Sequence, residues 1–340
     1  MKARLFVLFA AVALTASTAS AQVDTQRCPP GTTNLGVPDQ DRASQDACQM
    51  AIDLFKYIAP QLGTSITGGN ATLGQGGSLG GLGHFSVGLR VNAVQGSLPQ
   101  VQNVTPRITG ATPARNFDTK TQVIPMPTAD LAIGIFKGLP LAITNVGGVD
   151  LLVSAAYLPE FNSSGVSVKV PNGSLKLGYG LSVGILQESL LVPGISASYL
   201  VRDLPTVSIA GSSNNDSLYV NNLSLKTKAW RLVASKSLLF LGLAAGFGQD
   251  KYDASTDIGA HIAARTVPQS PAANAGPVSM SQNLTRTNVF ADLTMNLLLL
   301  KLTGEIGQVS GGTINTFNTF SGKQAADSRI YGSVGARFGF

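Results

Sequence analysis

The chain has 340 residues, of which 44% are hydrophobic and 12% are charged, about half the charged share of an ordinary soluble domain. The formal net charge is +6, and because no basic run occurs the sequence does not indicate a nucleic-acid-binding protein. Beyond the N-terminus no apolar run approaches the roughly 18 residues of a membrane helix, which excludes a helical membrane protein.

The N-terminus has the three parts of a secretory signal peptide. Lys2 and Arg4 form a basic start, residues 5–14 form an apolar run, and Ala19-Ser20-Ala21 is a small-residue cleavage site. We therefore expect residues 1–21 to be removed on export, which lowers the net charge to +4.

Cys28 and Cys48 are the only cysteines and belong to the exported chain. An oxidising compartment favours a disulfide between them. No histidine lies near them in the sequence, so they do not indicate a metal site, and nothing in the chain indicates a cofactor.

A single amphipathic helix is predicted near residues 44–59. Apolar residues recur there at helical spacing after Ser44, a plausible N-cap, until Pro60 and Gly63. The apolar stripe needs a partner, and docking against a barrel, plugging its lumen and binding another protein all remain open.

A glycine-rich linker follows, with nine glycines in residues 63–83. Gly76-Gly77-Ser78-Leu79-Gly80 matches the form of a nucleophile elbow but lacks the strand before and the helix after that such an elbow needs. His84 and His261 are the only histidines, and no catalytic motif surrounds either. We therefore do not expect an enzyme.

From residue 84 onward the sequence alternates with a period of two. In residues 175–185 six large apolar side chains alternate with Lys176, Ser182 and three glycines, which is typical of a strand with lipid on one side and a lumen on the other. The sequence predicts an all-β fold over residues 84–340: a transmembrane antiparallel barrel of about twelve strands, with ten to fourteen open. The predicted strands lie near residues 84–93, 131–136, 141–144, 149–157, 166–170, 175–185, 195–202, 219–229, 239–247, 289–297, 298–306 and 330–340.

The two long breaks in the alternation, residues 249–287 and 311–328, are predicted to be extracellular loops. Charged side chains on the inward parity are predicted to line the lumen, because a basic side chain at the lipid midplane costs about 2–4 kcal/mol. They are Arg90, Asp150, Lys176, Arg202, Lys226, Lys228, Asp292, Lys301, Glu305 and Arg337. Since basic residues predominate, the sequence suggests a water-filled lumen with a weak preference for anions.

Four tyrosines recur at intervals close to the length of a two-strand hairpin: Tyr157, Tyr179, Tyr199 and Tyr219. Tyrosine favours the headgroup level, so this spacing suggests an interfacial girdle. Chance recurrence of four tyrosines among short strands remains an alternative. Aromatic residues make up 6% of the chain, which is low for a barrel.

The last eleven residues alternate between an apolar set that includes Phe338 and Phe340 and a set of small or polar residues. This strand resembles the C-terminal strand of bacterial outer-membrane β-barrel proteins, in which a terminal Phe follows alternating apolar residues. The resemblance implies an outer-membrane location in contact with lipid, and assembly by periplasmic chaperones and the barrel-assembly machinery.

The order of signal peptide, helix, glycine-rich segment and barrel also resembles the FadL-type long-chain fatty-acid transporters, whose N-terminus forms a hatch. Gly69-Asn70-Ala71 stands where that family often has Asn-Pro-Ala, and here the Pro is absent. Three functions therefore stay open: a passive channel or transport protein with a polar, mildly basic lumen, a carrier of hydrophobic molecules with an N-terminal hatch, and a plugged structural or surface-display barrel. Residues 22–83 are then a periplasmic or lumenal segment.

Overall fold

The computed structural model describes residues 22–28, 40–101, 104–141, 143–163, 166–213, 215–266, 269–270 and 272–339. The predicted signal peptide, residues 1–21, and Phe340 lie outside the described residues.

Ten antiparallel strands form a closed ring, in which each strand pairs with its neighbours in the chain and the last pairs with the first. Ser86 stands opposite Gly339, and Val94 opposite Tyr331, where the ring closes. The wall strands are β1 (Phe85–Pro99), β2 (Thr119–Phe136), β3 (Gly148–Tyr157), β4 (Leu175–Leu186), β5 (Gly194–Asp203), β6 (Asp216–Leu238), β7 (Leu241–Ile262), β8 (Ala273–Leu297), β9 (Leu300–Ser310) and β10 (Arg329–Gly339).

The predicted transmembrane antiparallel barrel is confirmed, with ten strands in the ring, the lower end of the predicted range. The estimate of twelve included residues 141–144 and 166–170, which lie outside the ring. Leu139–Leu141 pairs with Thr144–Val146 in a small hairpin, and Val166–Lys169 belongs to an extension that also contains Phe161–Ser163 and Val207–Ser213. These segments alternate, but they are far shorter than the roughly 9–11 residues of a membrane strand.

Apolar side chains cover the outer face of the wall. Leu177 is 63% exposed and Val334 is 71% exposed, whereas the glycines between the apolar residues of β4 are buried. Because an apolar surface of this size is unfavourable in water, this band faces hydrocarbon.

The two ends of the barrel differ in the length of their connections. Two-residue turns, Leu239-Phe240 and Leu298-Leu299, join β6 to β7 and β8 to β9, whereas residues 100–118 and 311–328 connect strands at the opposite end. Short turns are periplasmic and long loops extracellular in such barrels, so the chain enters β1 and leaves β10 at the periplasmic end.

The predicted loop 249–287 is largely strand. The inward parity of β7 continues beyond the membrane with Tyr252, Ala254 and Ile258, all buried, so β7 and β8 rise well above the apolar band before they turn. The outward-facing residues there are polar, so this part of the strand lacks the apolar outer face from which the membrane strands were predicted.

One helix, α1 (Gln40–Thr67), lies inside the extracellular half of the barrel. Its apolar residues, such as Ile52 and Tyr57, are completely buried against a wall lined by Leu225, Ile258 and Met280. The upper lumen is therefore a packed apolar core. Within the described residues, no helix is long and apolar enough to cross a membrane.

The helix extends beyond the expected residues 44–59 because wall and helix side chains replace what Pro60 removes. A proline lacks the N–H that would bond the carbonyl of Lys56, and Gln282 Nε2 donates to that carbonyl instead at 3.4 Å. Gln61 Nε2 donates to the neighbouring carbonyl of Tyr57 at 3.1 Å. The helix therefore passes through Pro60.

Candidate functional site

After α1 the chain descends through the periplasmic half of the lumen to β1, and residues 68–83 are named the lower segment. A Cβ atom at Gly76 would lie 2.5 Å from the carbonyl oxygen of Gly194, so a side chain cannot be accommodated there. The backbone N–H of Gly76 donates to Ser235 Oγ at 2.8 Å. The glycines of the linker thus allow the backbone to lie directly on the barrel wall.

Ser78 and Leu79 fix the next part of the lower segment. Both the backbone N–H and the hydroxyl of Ser78 donate to Gln187 Oε1 at 2.9 Å. The backbone N–H of Leu79 donates to the Asp150 carboxylate at 3.0 and 3.1 Å. Ser78 therefore has a positioning role in the fold, and the expectation of no enzyme activity stays a prediction.

Three arginines from three strands surround the C-terminal end of α1. We call Arg90 (β1), Arg202 (β5) and Arg231 (β6) the arginine ring. Arg202 Nη1 donates to the carbonyl oxygens of Ile66 at 3.1 Å and Gly69 at 3.0 Å. The last carbonyls of a helix lack partners within the helix and carry its negative dipole end, so these cations cap it.

The other two ring members continue the same cap. Arg90 Nη1 donates to the carbonyl oxygen of Gly68 at 2.5 Å, and Arg231 Nη2 donates to that of Thr67 at 3.2 Å. The sequence pattern placed Arg90 and Arg202 in the lumen but gave no indication that they hold a helix end.

The positive charge of the arginine ring is only partly neutralised by carboxylates. Arg90 pairs with Asp130 at 2.7 Å, and Arg231 pairs with Asp250 at 2.5 Å. In the described part of the chain, no carboxylate lies within 4.0 Å of the Arg202 guanidinium. The carbonyls of the helix end are therefore the main compensation for the Arg202 charge.

Asp250 also accepts hydrogen bonds from both α1 and the wall. Its Oδ2 accepts from Thr67 Oγ1 at 3.0 Å, from Tyr252 at 3.3 Å and from Asn288 Nδ2 at 3.2 Å. Asn92 Nδ2 donates to the carbonyl of Ser65 at 2.6 Å. Asp250 was not predicted to face the lumen, because it lies in residues 249–287, which were predicted to be a loop.

The periplasmic half of the lumen contains an acidic pair. Asp292 on β8 and Glu305 on β9 stand directly opposite each other, both buried. Among the described residues, none of their four carboxylate oxygens accepts a hydrogen bond of normal distance and angle, although the backbone N–H of Gly74 lies near Asp292. Arg337 lies near this pair but donates to Gln75 Oε1 of the lower segment at 2.5 Å. Buried carboxylates without hydrogen bonds are uncommon in native proteins.

Little space remains in the lumen. Two cavities, one beside Arg202 and Asn70 and one beside Arg90 and Asp130, each have a volume of about 10 Å³. That is at most the space of one water molecule. Residues 40–83 therefore act as a plug.

The predicted lumen residues divide into three groups. Six are buried inside the barrel: Arg90, Asp150, Arg202, Asp292, Glu305 and Arg337. Lys301 is half-buried near the periplasmic end of β9, and Lys176 is exposed at the extracellular end of β4.

Lys226 and Lys228 lie on the outer face, so their assignment to the lumen was wrong. Leu223 and Leu225 have the parity opposite to these lysines, so the same assignment places them toward lipid; they are buried against α1 instead. The apolar parity of β6 points inward here because this part of the lumen holds a helix. The lysines are exposed above the apolar band.

Three predicted girdle tyrosines, Tyr157, Tyr179 and Tyr199, are about half-exposed or more on the outer face. Tyr219 is not part of such a girdle, because a register shift between Asn221 and Ser224 places it in the extracellular extension, packed on Gly259. Trp230, which the tyrosine spacing did not indicate, stands opposite Tyr199 and packs edge-on against Phe247, with the ring centroids 5.9 Å apart. Phe338 is 42% exposed on the outer face, and Phe340 lies outside the described residues.

The extracellular end of α1 is tied to the N-terminus and the loops. Cys28 and Cys48 form a disulfide. Asp53 accepts backbone bonds from Phe317 at 3.1 Å and Asn318 at 2.9 Å, in the last loop. Burial raises the pKa of the Asp53 carboxyl, and these hydrogen bonds oppose the rise.

No protein-family model matches the chain, and no curated protein matches it. Among solved structures it is similar to the transport unit of the autotransporter AIDA-I from Escherichia coli, with 8% identity over 86% of this chain and 98% of the other, at a TM-score of 0.36. It is also similar to the toluene transporter TodX of Pseudomonas putida, with 9% identity, 81% and 92% coverage and a TM-score of 0.23.

A third similar structure is OmpT, in a loop-deletion form, an outer-membrane protein of Vibrio cholerae, with 9% identity, 75% and 98% coverage and a TM-score of 0.21. The likeness concerns the barrel architecture alone. The closed ring, its apolar band and its short-turn end are those of a bacterial outer-membrane β-barrel.

Proposed function

We propose that the protein is an outer-membrane transport barrel that is closed at rest by residues 40–83 and conducts solute when this plug is displaced. The observation that carries the proposal is a lumen that is both filled and highly charged. Ion pairs such as Arg90 with Asp130 are buried between plug and wall. Buried ion pairs are weak sources of stability, and apolar replacements are often as stable. A charged interior is better explained by a second state in which water fills it.

The partnerless acidic pair supports the same proposal. Asp292 and Glu305 lie behind the lower segment, where the backbone N–H of Gly74 is near Asp292, and among the described residues neither carboxylate accepts a hydrogen bond of normal distance and angle. Movement of the plug allows water to reach both carboxylates, which lowers the free energy of the displaced state relative to the closed one.

The solute that fits this proposal is small and hydrophilic. Below the arginine ring, the wall behind the lower segment carries three acidic residues, Asp150, Asp292 and Glu305, and two basic ones, Lys301 and Arg337. Displacement of the plug also frees the arginine ring, in which Arg90 and Arg231 keep their ion pairs with Asp130 and Asp250. Acidic and basic residues along the displaced-state pathway then balance, so the anion preference suggested by the sequence is not part of this proposal.

A covalent lock tests the proposal. Ser78 Oγ lies 2.9 Å from Gln187 Oε1, so the cysteines of an S78C/Q187C pair are close enough for a short bifunctional methanethiosulfonate reagent to join the lower segment to the turn after β4. In planar bilayers the wild type should show a closed baseline with brief openings, and the cross-linked variant should show none. Reduction should restore the openings, and reduced wild type controls for the native disulfide.

A carrier of hydrophobic molecules is the second candidate. The upper lumen around α1 is apolar, with Leu225, Met280 and Leu284 in the wall, so a displaced helix leaves a chamber suited to such molecules. Openings in the bilayer support the hydrophilic pathway. Uptake of a hydrophobic fluorophore into proteoliposomes that is blocked by the same lock and occurs without ion conductance supports the carrier. The absence of both conductance and uptake supports a permanently plugged display barrel.

Biogenesis is part of the proposal. Periplasmic chaperones and the barrel-assembly machinery deliver the chain to the membrane, and residues 22–83 enter the lumen as the wall closes. The protein has no enzyme activity in this account.

A further inference from the structure

We propose that Lys228 and Lys251 form a binding site for the phosphates of an outer-leaflet lipid headgroup on the outer face of the barrel. The two residues are direct cross-strand partners on β6 and β7, and both are exposed. Neither lysine takes part in the closure of the lumen, so the inference is independent of the proposed transport.

The position of the two lysines relative to the membrane follows from the neighbouring rows, where a row is a set of side chains that stand opposite one another on adjacent strands. One step toward the periplasm, Trp230 stands opposite Tyr199 on β5 and opposite Gln249 on β7. Below this row β7 presents Phe247 and Leu243 to lipid, 49% and 54% exposed. Amphipathic aromatic residues such as Tyr199 and Trp230 favour the headgroup level, so the lysine row is at the first polar layer of the extracellular leaflet.

The polar layer continues across the next strand in the same register. Lys251 stands opposite Thr285 on β8, and Gln249 stands opposite Thr287, whereas Val289 belongs to the apolar band. Two ammonium groups, with the Thr285 hydroxyl in the same row and the Gln249 amide in the row below, provide donors without an acceptor of comparable charge in the lysine row, which suits a phosphate.

The nearby carboxylates lie one row farther from the lipid. Lys226 stands opposite Asp203 and Asp253, and Lys251 Nζ is 3.7 Å from Asp253 Oδ1. In the described part of the chain no carboxylate lies within 4.0 Å of the Lys228 ammonium. The positive charge is thus concentrated in the row that meets the headgroups. Long lysine side chains extend along the wall toward such groups.

Trp230, the single tryptophan, is an intrinsic probe adjacent to the site. The experiment titrates the purified protein in neutral detergent with bisphosphorylated lipid A, with dephosphorylated lipid A and with inorganic phosphate, and follows tryptophan fluorescence. We expect a saturable change with bisphosphorylated lipid A alone. We expect the affinity to fall about fivefold for each lysine neutralised, so K228Q/K251Q should be the weakest binder.

K176Q is the matched control, because Lys176 is an exposed lysine at the same end of the barrel on β4 and should bind as the wild type does. K228R/K251R should retain binding. For every variant, a difference in migration on SDS gels between the unheated and the boiled sample identifies folded protein. Equal affinity for K228Q/K251Q and wild type, or an equal response to the dephosphorylated lipid, overturns the proposal. Saturation by inorganic phosphate alone also overturns it, because the site then takes free anions.

Discussion

Arg90 on β1 and Asp130 on β2 form a buried ion pair across neighbouring strands, with Nε 2.7 Å from Oδ2 and both side chains at most 5% exposed. The same guanidinium donates to the carbonyl of Gly68, the first residue after α1. One arginine therefore joins two wall strands to the plug.

Substitution of this arginine should destabilise the whole barrel. Arg90→Ala leaves the Asp130 carboxylate buried without its partner, so we expect the free energy of unfolding in urea to fall by about 3–5 kcal/mol. The double variant R90M/D130L should recover most of that loss. An R90A protein as stable as wild type contradicts the ion-pair account.

Arg202 should act on the plug rather than on the wall. It has no carboxylate partner within the described residues, and its donors reach carbonyls at the end of α1. Arg202→Met should weaken the docking of the plug by about 3–6 kcal/mol, because two hydrogen bonds from a charged donor, each worth about 1.5–3 kcal/mol, are lost.

The readout for Arg202→Met is amide hydrogen exchange in residues 64–72, together with the frequency of openings in planar bilayers. Both should rise, while exchange in β9 and β10 stays the same. Lys176→Met serves as control, since its side chain touches no part of the plug that the structure records. Unchanged exchange in residues 64–72 counts against a capping role.

The disulfide should hold the N-terminus to α1 without supporting the wall. Replacing Cys28 and Cys48 by serine removes a 20-residue closed loop, which contributes on the order of 3 kcal/mol to the stability of that region. Limited proteolysis should then cleave within residues 22–48 at a low protease dose, leaving residues 85–339 intact. Equal resistance of the variant and the wild type argues against the tie.

Asp53 should make the attachment of the last loop depend on pH. Burial raises its pKa in the folded state, so the charged carboxylate costs stability at high pH. As pH falls through the raised pKa the folded state gains stability relative to the unfolded chain, and the gain is complete below the ordinary carboxyl pKa. Asp53→Asn should remove this contribution from a pH series of unfolding free energies; an identical series in both proteins contradicts the shift.

Much of the wall was predictable because the period of two is a direct consequence of strand geometry. Strands such as β4 alternate large apolar residues with glycines or polar residues over most of their length, and the sequence predicted them within a few residues. The rule failed on β6, where Leu223 and Leu225 face inward. An apolar parity indicates lipid only where the lumen is polar, and here α1 makes the upper lumen apolar.

The inner site was less predictable than the wall. Inward charges such as Arg90 and Arg202 were found from parity, but the alternation contains nothing about what the lumen holds. The capping of α1 depends on three strands that are far apart in the chain, and Asp250 lay beyond the predicted end of its strand. Long-range register of this kind has no local signal in a single sequence.

The most direct test of the account is the conductance of the purified wild-type protein in planar bilayers, before any substitution. Because residues 40–83 occupy the lumen, we predict a closed baseline interrupted by brief openings that the S78C/Q187C cross-link abolishes. A steady, open, ohmic current from the wild type contradicts it, because no such current can cross a lumen filled by its own chain.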